Sequence, residues 1–152
     1  ENMLIALAVR EQRQWDLWRP LKLPARVDEA CALLAQFGFF DGLSQPVSTL
    51  PEGGRKLLDV ALSFALRPSV LLLDEPTSGV SVEDKFAVMD RLMSVVRQSA
   101  ITAVFIEHDM EVVARYAERV LVFAEGRILA DGAPAEVFPN PAVRTHVLGE
   151  GA

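Results

Sequence analysis

A run of four apolar residues, Val70 to Leu73, limits the fold of this chain more than any other segment, because Asp74 and Glu75 follow it directly. A short, wholly apolar run is typical of a parallel strand that is buried on both faces. Open α/β sheets bind ligands at the carboxyl ends of such strands. Two adjacent carboxylates there are costly unless they are exposed, paired or bound to a cation. The segment therefore predicts a strand that ends either in a cation-binding site or in an ordinary polar turn.

Helical and strand patterns alternate along the chain after residue 50. We expect helices over residues 53–66, 81–98 and 109–117, strands over residues 70–73, 101–106, 120–123 and 127–129, and a short turn with a polar tail from Pro134. Ser81 and Asp84 fit a capping box for the second helix, and Glu125-Gly126 fits a hairpin turn. Before residue 50 the pattern predicts helices over residues 1–13 and 27–37. The sequence thus predicts a helical subdomain, residues 1–50, and an α/β core with a parallel sheet, residues 51–152.

Size and charge exclude several classes of protein. The chain has 152 residues, which is enough for one domain with a real core. Fifteen Lys and Arg residues against 21 Asp and Glu residues give a net charge of −6, which argues against an extended nucleic-acid surface. A single cysteine cannot form an internal disulfide and favours a reducing compartment. No apolar run approaches the roughly 18 residues of a membrane span, so we expect any link to a membrane to go through a partner.

Two further segments carry residues suited to binding phosphate. His108 follows the apolar strand predicted over residues 101–106, so we expect it at the same sheet edge as Glu75, where an imidazole could reach a terminal phosphate; the alternative is a structural histidine. The second segment is a tight loop that leads into a helix, where free backbone N–H groups can bind an anion. Its alternative is a simple turn before a helix. The loop consists of Leu50, Pro51, Glu52, Gly53 and Gly54.

In this order and spacing, these segments resemble the ABC ATPase family over nearly the whole chain. The loop from Leu50 to Gly54 aligns with the family's signature motif, Leu-Ser-Gly-Gly-Gln. The run from Val70 to Glu75 matches the Walker B motif with its catalytic glutamate, and His108 stands at the switch histidine. The D-loop position is occupied by Ser78, Gly79, Val80 and Ser81.

The resemblance implies a fold, two cofactors and a role for each residue. The implied fold is a partial P-loop NTPase core, RecA-like and ABC-type, and the implied cofactors are ATP and Mg²⁺. Asp74 would help to hold Mg²⁺, Glu75 would orient and polarise the attacking water, and His108 would contact the terminal phosphate. The signature and D-loop residues would act in trans, on ATP bound to a partner subunit.

The tail narrows the resemblance to the ATPase subunits of branched-chain amino acid importers. It is similar to them in three segments: Glu107-His108-Asp109-Met110, Asp131-Gly132-Ala133-Pro134, and Asn140-Pro141 with Leu148-Gly149-Glu150. This implies as partners a second ATPase subunit, identical or different, integral membrane permease subunits and an extracytoplasmic solute-binding protein, and no nucleic acid. The subunit would lie in the cytoplasm, on the inner face of the cell membrane.

The sequence departs from the family in lacking a P-loop. No G-x-x-x-x-G-K-[ST] motif is present, and Lys22, Lys56 and Lys85 are followed by Leu, Leu and Phe. Because the chain begins at Glu1 within a helical pattern, we expect it to be the C-terminal part of a longer protein with the P-loop upstream. The chain alone is then expected neither to bind ATP tightly nor to hydrolyse it.

The signature and D-loop also depart from the family pattern. Pro51 replaces serine, with the loss of a hydroxyl donor and a backbone N–H, and Gly54 replaces glutamine. Ser81 replaces the D-loop aspartate. These changes suggest an asymmetric pair, in which this subunit's own site hydrolyses ATP while the site that it closes on its partner is weak.

Two other classes of function remain open from the residues. One is a non-transport ABC ATPase that acts on ribosomes or DNA, and the other is a catalytically silent assembly module. Trp15 and Trp18 either anchor a surface toward the membrane subunits or pack against neighbouring helices. Without upstream strands the sheet has open edges, so we also expect dimerisation or strand exchange through them.

Overall fold

A computed structural model describes residues 1–12, 18, 20–40 and 45–146. The described chain divides into two compact units, Glu1–Ile106 and Glu107–Ala152. The first contains α1 (Asn2–Arg10), α2 (Pro24–Gln36), a 3₁₀ helix (Val47–Thr49), α3 (Glu52–Ala65), β1 (Val70–Asp74), α4 (Val82–Arg97) and β2 (Thr102–Ile106). The second contains α5 (Met110–Tyr116), β3 (Val120–Ala124), β4 (Arg127–Gly132), α6 (Pro134–Val137) and α7 (Pro141–His146). The predicted order of elements is confirmed as far as β4.

The first unit has a helical core made by α1, α2, α3 and α4. Leu7 of α1 is fully buried, and Phe37, at the end of α2, is 2% exposed. The rings of Phe37 and Phe64 meet edge to face, with centroids 5.6 Å apart. Because α1 and α2 pack on α3 within one compact unit, the boundary proposed near residue 50 between a helical subdomain and a core stays a prediction. Within the described residues, no helix is long and apolar enough to cross a membrane.

Ion pairs join the helices of this core. The buried Arg26 donates to Glu11 at 2.7 Å and to the Leu21 carbonyl at 2.8 Å. Arg10 donates to Glu29 at 2.7 Å and thereby ties α1 to α2. The hydrogen bond from Arg10 lowers the pKa of the Glu29 carboxyl below its usual value.

The lowered pKa of Glu29 predicts a pH dependence of stability. Between the folded and unfolded pKa values of Glu29, the unfolded chain binds more protons than the folded chain. The stability that the ionised Glu29 contributes is therefore complete above its unfolded pKa, near pH ~4.3. It is lost as the pH falls through the folded pKa. Glu29→Gln should therefore flatten the acid limb of the unfolding free energy, measured by urea unfolding between about pH 3 and pH 7. Asp28→Asn, at the neighbouring exposed carboxylate, is the control and should keep the acid limb of the unfolding free energy. The same acid limb in both variants would contradict the contribution of Glu29 to the pH dependence of stability.

The strands β1 and β2 form a parallel pair, with Val70 opposite Thr102 and Asp74 opposite Ile106. The prediction of a parallel sheet is therefore confirmed, but the expectation that β1 is buried on both faces is wrong. Leu71 is 4% exposed, whereas Leu72, which points to the opposite face, is 74% exposed. The apolar run leaves one face in solvent because nothing in the described part of the chain covers it.

The second unit is built on a hairpin of β3 and β4. Glu125 and Gly126 have φ angles of 51° and 75°, which are the left-handed values of a type I′ turn. The predicted hairpin turn is thus confirmed. The helices α6 and α7 pack on β4, and their core contains Val122, Val137 and Val143.

The expected polar tail after Pro134 is wrong for residues 141–146, which form α7. Asn140 precedes this helix and its side-chain oxygen accepts a hydrogen bond from the Ala142 N–H at 2.9 Å. Val143 then supplies a fully buried apolar contact. A helix of six residues is too short to be stable by itself, so α7 depends on this packing and on the hydrogen bond that Asn140 accepts. Leu148, Gly149 and Glu150 lie outside the described residues.

Candidate functional site

The two adjacent carboxylates lie at the carboxyl end of β1, as predicted. Asp74 is the last residue of the strand, and Glu75 follows it; both side chains are exposed. The Glu75 N–H donates to the Ile106 carbonyl at 2.9 Å and continues the pairing between β1 and β2 by one residue. Both carboxylates therefore stand at the edge of the sheet where parallel strands present their ligands.

Glu75 has a left-handed backbone, which is unusual for a residue with a side chain. Its φ angle is 44°, a conformation that costs a non-glycine residue about 1–3 kcal/mol and persists only when its surroundings hold it. The Glu75 carbonyl accepts hydrogen bonds from the Ser78 N–H at 3.1 Å and from the Lys56 ammonium at 3.3 Å. Strain of this kind is concentrated at functional sites.

Lys56 is the residue at this site that sequence reasoning missed. In the sequence the lysines are candidates only for a P-loop, and Lys56 lies 19 positions before Glu75. The sequence indicates of Lys56 only that it lies on the helix that precedes the strand. Helical spacing does not reveal which turn of α3 lies beside the end of β1, because that depends on how the two elements pack.

The D-loop segment lies beside the start of α3. Thr77 is buried and its carbonyl accepts from the Val80 N–H at 3.1 Å, and Gly79 has a φ angle of 76°. A Cβ on Gly79 would lie 3.4 Å from Cγ of Glu52, and one on Gly53 would lie 3.6 Å from Cγ1 of Val80. The structure therefore brings together two of the predicted segments, residues 50–54 and residues 78–81.

Ser81 ends this segment as the N-cap of α4. Its hydroxyl oxygen accepts from the Asp84 N–H at 3.1 Å, and the hydroxyl donates to the Asp84 carboxylate at 2.8 Å. The predicted cap of this helix by Ser81 is confirmed. Ser81 stands where the family has aspartate, and it still caps the start of α4. A contact of Ser81 across a dimer stays a prediction.

Residues 50–54 form the start of α3. Leu50 closes the 3₁₀ helix, Pro51 is the N-cap of α3 without a side-chain cap, and the helix begins at Glu52. Glu52 occupies the first glycine position of the aligned signature motif, a third departure that sequence reasoning missed. Its carboxylate pairs with Arg55 at 2.6 Å. An acidic side chain in the first turn interacts favourably with the helix dipole and disfavours a second anion there.

The two glycines of this segment have different surroundings. A Cβ on Gly53 would lie 2.8 Å from Cγ2 of Val88, whereas one on Gly54 would lie 3.4 Å from Cδ of Pro51. Gly53 is therefore required by the close packing of α3 on α4. The described contacts of Gly53 indicate helix packing rather than phosphate binding.

His108 follows β2 by two residues and precedes the N-cap of α5. The N-cap is Asp109, whose carboxylate accepts from the Glu111 N–H at 3.0 Å and the Val112 N–H at 3.3 Å. The His108 side chain is exposed. Since His108 belongs to the second compact unit and Glu75 to the first, its expected action beside Glu75 stays a prediction.

The carboxylates fit Mg²⁺ that arrives with a nucleotide. Among the described residues, no group of three or more His, Cys, Asp or Glu side chains could hold a metal ion. Mg²⁺, however, is usually held by one or two protein carboxylates together with substrate phosphates and waters. The exposed Asp74 carboxylate at the sheet edge suits that mode.

A cavity lies beside the strand end, between α3, β1 and α4. Its volume is about 220 Å³, below the roughly 300–1,000 Å³ of ordinary small-molecule pockets. Its walls combine Lys56, Asp59, Ser63 and Asp74 with apolar residues that include Leu73 and Leu92.

Comparison with known proteins identifies the fold first. No protein-family model matches the chain. A solved structure, the ADP conformation of an ATP-binding cassette of an ABC transporter, matches it with a TM-score of 0.80 and 23% identity, over 98% of this chain and 61% of that one. The described chain therefore has the fold of part of an ABC-type P-loop ATPase, an α/β core with parallel strands, as the sequence predicts.

Relatives in sequence then specify the class. The cobalt import ATP-binding protein CbiO of Rhodobacter capsulatus is 39% identical over 118 residues, covering 78% of this chain and 41% of that protein. The methionine import ATP-binding protein MetN of Bradyrhizobium diazoefficiens is 36% identical over 124 residues, covering 82% of this chain and 35% of that protein. This chain thus spans less than half of the length of either relative. Over most of its own length it is similar to ATP-binding subunits of ABC transporters, and neither of these two is named for branched-chain amino acids.

Proposed function

We propose that this chain is the C-terminal part of the ATP-hydrolysing, energy-coupling subunit of an ABC importer. The observation that carries the proposal is the pair Asp74 and Glu75 at the carboxyl end of β1, with the Glu75 backbone held in a left-handed conformation. Relatives named as import ATP-binding proteins support the transport role.

Each residue has a proposed part in the reaction. Asp74 helps to hold Mg²⁺, which would neutralise charge on the phosphates of bound ATP. Glu75 accepts a hydrogen bond from the attacking water and orients it toward the terminal phosphate. His108 donates a hydrogen bond to that phosphate. The P-loop that binds ATP in cis would be supplied by residues outside this chain.

The start of α3 supports an asymmetric pair of subunits. By resemblance, residues 50–54 and 78–81 close over ATP that is bound to the partner. Pro51 has no side-chain donor, and Glu52 adds a carboxylate at the helix start where a phosphate would approach. Like charges repel, so this subunit should close its partner's site weakly while its own site keeps Glu75.

The partners and the cargo are further parts of the proposal. The subunit would pair with a second ATPase subunit, identical or different, bind permease subunits at the inner face of the cell membrane, and receive solute from an extracytoplasmic binding protein. Branched-chain amino acids remain the proposed cargo on the resemblance of the tail alone. Trp18 is 96% exposed, which suits a contact with the permease better than packing in the helical core; Trp15 lies outside the described residues.

ATP turnover by the whole subunit, purified with its permease, tests the proposal. We expect turnover by the assembled subunit and none by residues 1–152 alone, because the chain lacks a P-loop. In a homodimer, Pro51→Ser with Glu52→Gly should raise turnover several-fold by restoring a hydroxyl and removing a charge. Absence of turnover in the assembled subunit would overturn the ATPase assignment, and an unchanged rate in the double variant would overturn only the asymmetry.

A further inference from the structure

Lys56 connects α3 to the backbone of the proposed catalytic glutamate. It lies one turn after the start of α3, and its half-buried side chain lines the cavity between α3, β1 and α4. Its ammonium donates to the Glu75 carbonyl at 3.3 Å.

Both peptide groups of Glu75 are fixed by hydrogen bonds. Its N–H donates to the Ile106 carbonyl, and its carbonyl accepts from the Ser78 N–H and from Lys56. The bonds to Ile106 and Ser78 join backbone groups, so they do not depend on residue type. The bond from Lys56 depends on its side chain, and it acts on a residue with a φ angle of 44°.

We infer that Lys56 is a positioning residue for Glu75, holding its backbone in the left-handed conformation that aims the carboxylate. The direction of a side chain follows from the φ and ψ angles of its own residue, so a relaxed Glu75 backbone would move the carboxylate relative to the water that it orients. A displacement of about 1 Å costs up to about 100-fold in rate. This inference rests on the proposed function of Glu75.

The main test is steady-state ATP turnover by the assembled subunit carrying Lys56→Gln. Glutamine is shorter and uncharged, so it should lose the bond to the Glu75 carbonyl. We expect kcat to fall about tenfold while the KM for ATP stays within about twofold, since an orienting group acts on the chemical step rather than on binding. Lys56→Arg should restore most of kcat because arginine keeps the charge and the reach. Lys22→Gln, at an exposed lysine 3.9 Å from Glu1, is the matched control and should leave both constants unchanged.

Two further measurements separate positioning from a general loss of structure. Lys56→Gln should add no loss of kcat in a Glu75→Gln background, because the group that it positions is already disabled. In labelled whole subunit, the carbonyl ¹³C resonance of Glu75 should shift in Lys56→Gln and not in Lys22→Gln. A kcat equal to that of Lys22→Gln, or a loss that arginine does not restore, would overturn the inference. Full turnover in Glu75→Gln would overturn the proposed function, and the ¹³C shift would still decide whether Lys56 holds the carbonyl.

Discussion

Replacing Glu75 with glutamine in the assembled subunit is expected to lower ATP turnover by about 100-fold or more. The amide keeps the size of the side chain but is a poor acceptor for a water proton, and a positioned general base contributes about 10²–10⁴-fold to a rate. Because the side chain is exposed and the backbone of Glu75 is held by hydrogen bonds to Ile106, Ser78 and Lys56, folding should not change. The measurement is kcat by phosphate release, together with ATP binding by a fluorescent analogue, which should be retained.

Glu118→Gln is the matched control for this prediction. Glu118 is an exposed glutamate outside the candidate site, so its replacement should leave kcat within about twofold. A Glu75→Gln subunit that turns over at the rate of Glu118→Gln would mean that the end of β1 is not where ATP is hydrolysed. A subunit that also loses ATP binding would place Glu75 in binding rather than in the chemical step.

The second large effect is expected at Gly53, and it is an effect on stability. Gly53→Ala should lower the free energy of unfolding by about 1–3 kcal/mol, the usual cost of overpacking a tight contact. The new methyl group would lie 2.8 Å from Cγ2 of Val88, a short and branched side chain that cannot swing away freely. Urea unfolding measures the change.

Gly54→Ala is the control, one residue further along α3. Its Cβ would meet Pro51 at an ordinary distance of 3.4 Å, and alanine restricts the unfolded chain. This variant should gain a few tenths to about 1 kcal/mol of stability. If Gly53→Ala were as stable as Gly54→Ala, close packing would not explain the glycine, and a role toward a ligand would become the better explanation.

Local patterns in the sequence predicted the elements well. The cap at Ser81 and the turn at Glu125-Gly126 depend on interactions within a few residues, so the sequence alone identifies them, and both are present. The alternation of helices and strands likewise predicted the parallel pair of β1 and β2. The sequence does not predict the helix in the tail because α7 is short and has one buried residue, Val143, whose packing depends on Val122 of β3 as well as on its neighbour Val137.

Some features of the candidate site likewise follow from the sequence, and others follow only from the tertiary structure. The order and spacing of the motifs determined that two carboxylates end β1 and that the chain resembles an ABC ATPase, because strand geometry and residue type suffice for both. Only the tertiary structure decided that Lys56 reaches the Glu75 carbonyl, that Gly53 packs on Val88 and that Leu72 faces solvent. These facts depend on which surfaces of α3, α4 and β1 meet. A period of apolar residues shows which face of an element is buried, but it does not show what lies against that face.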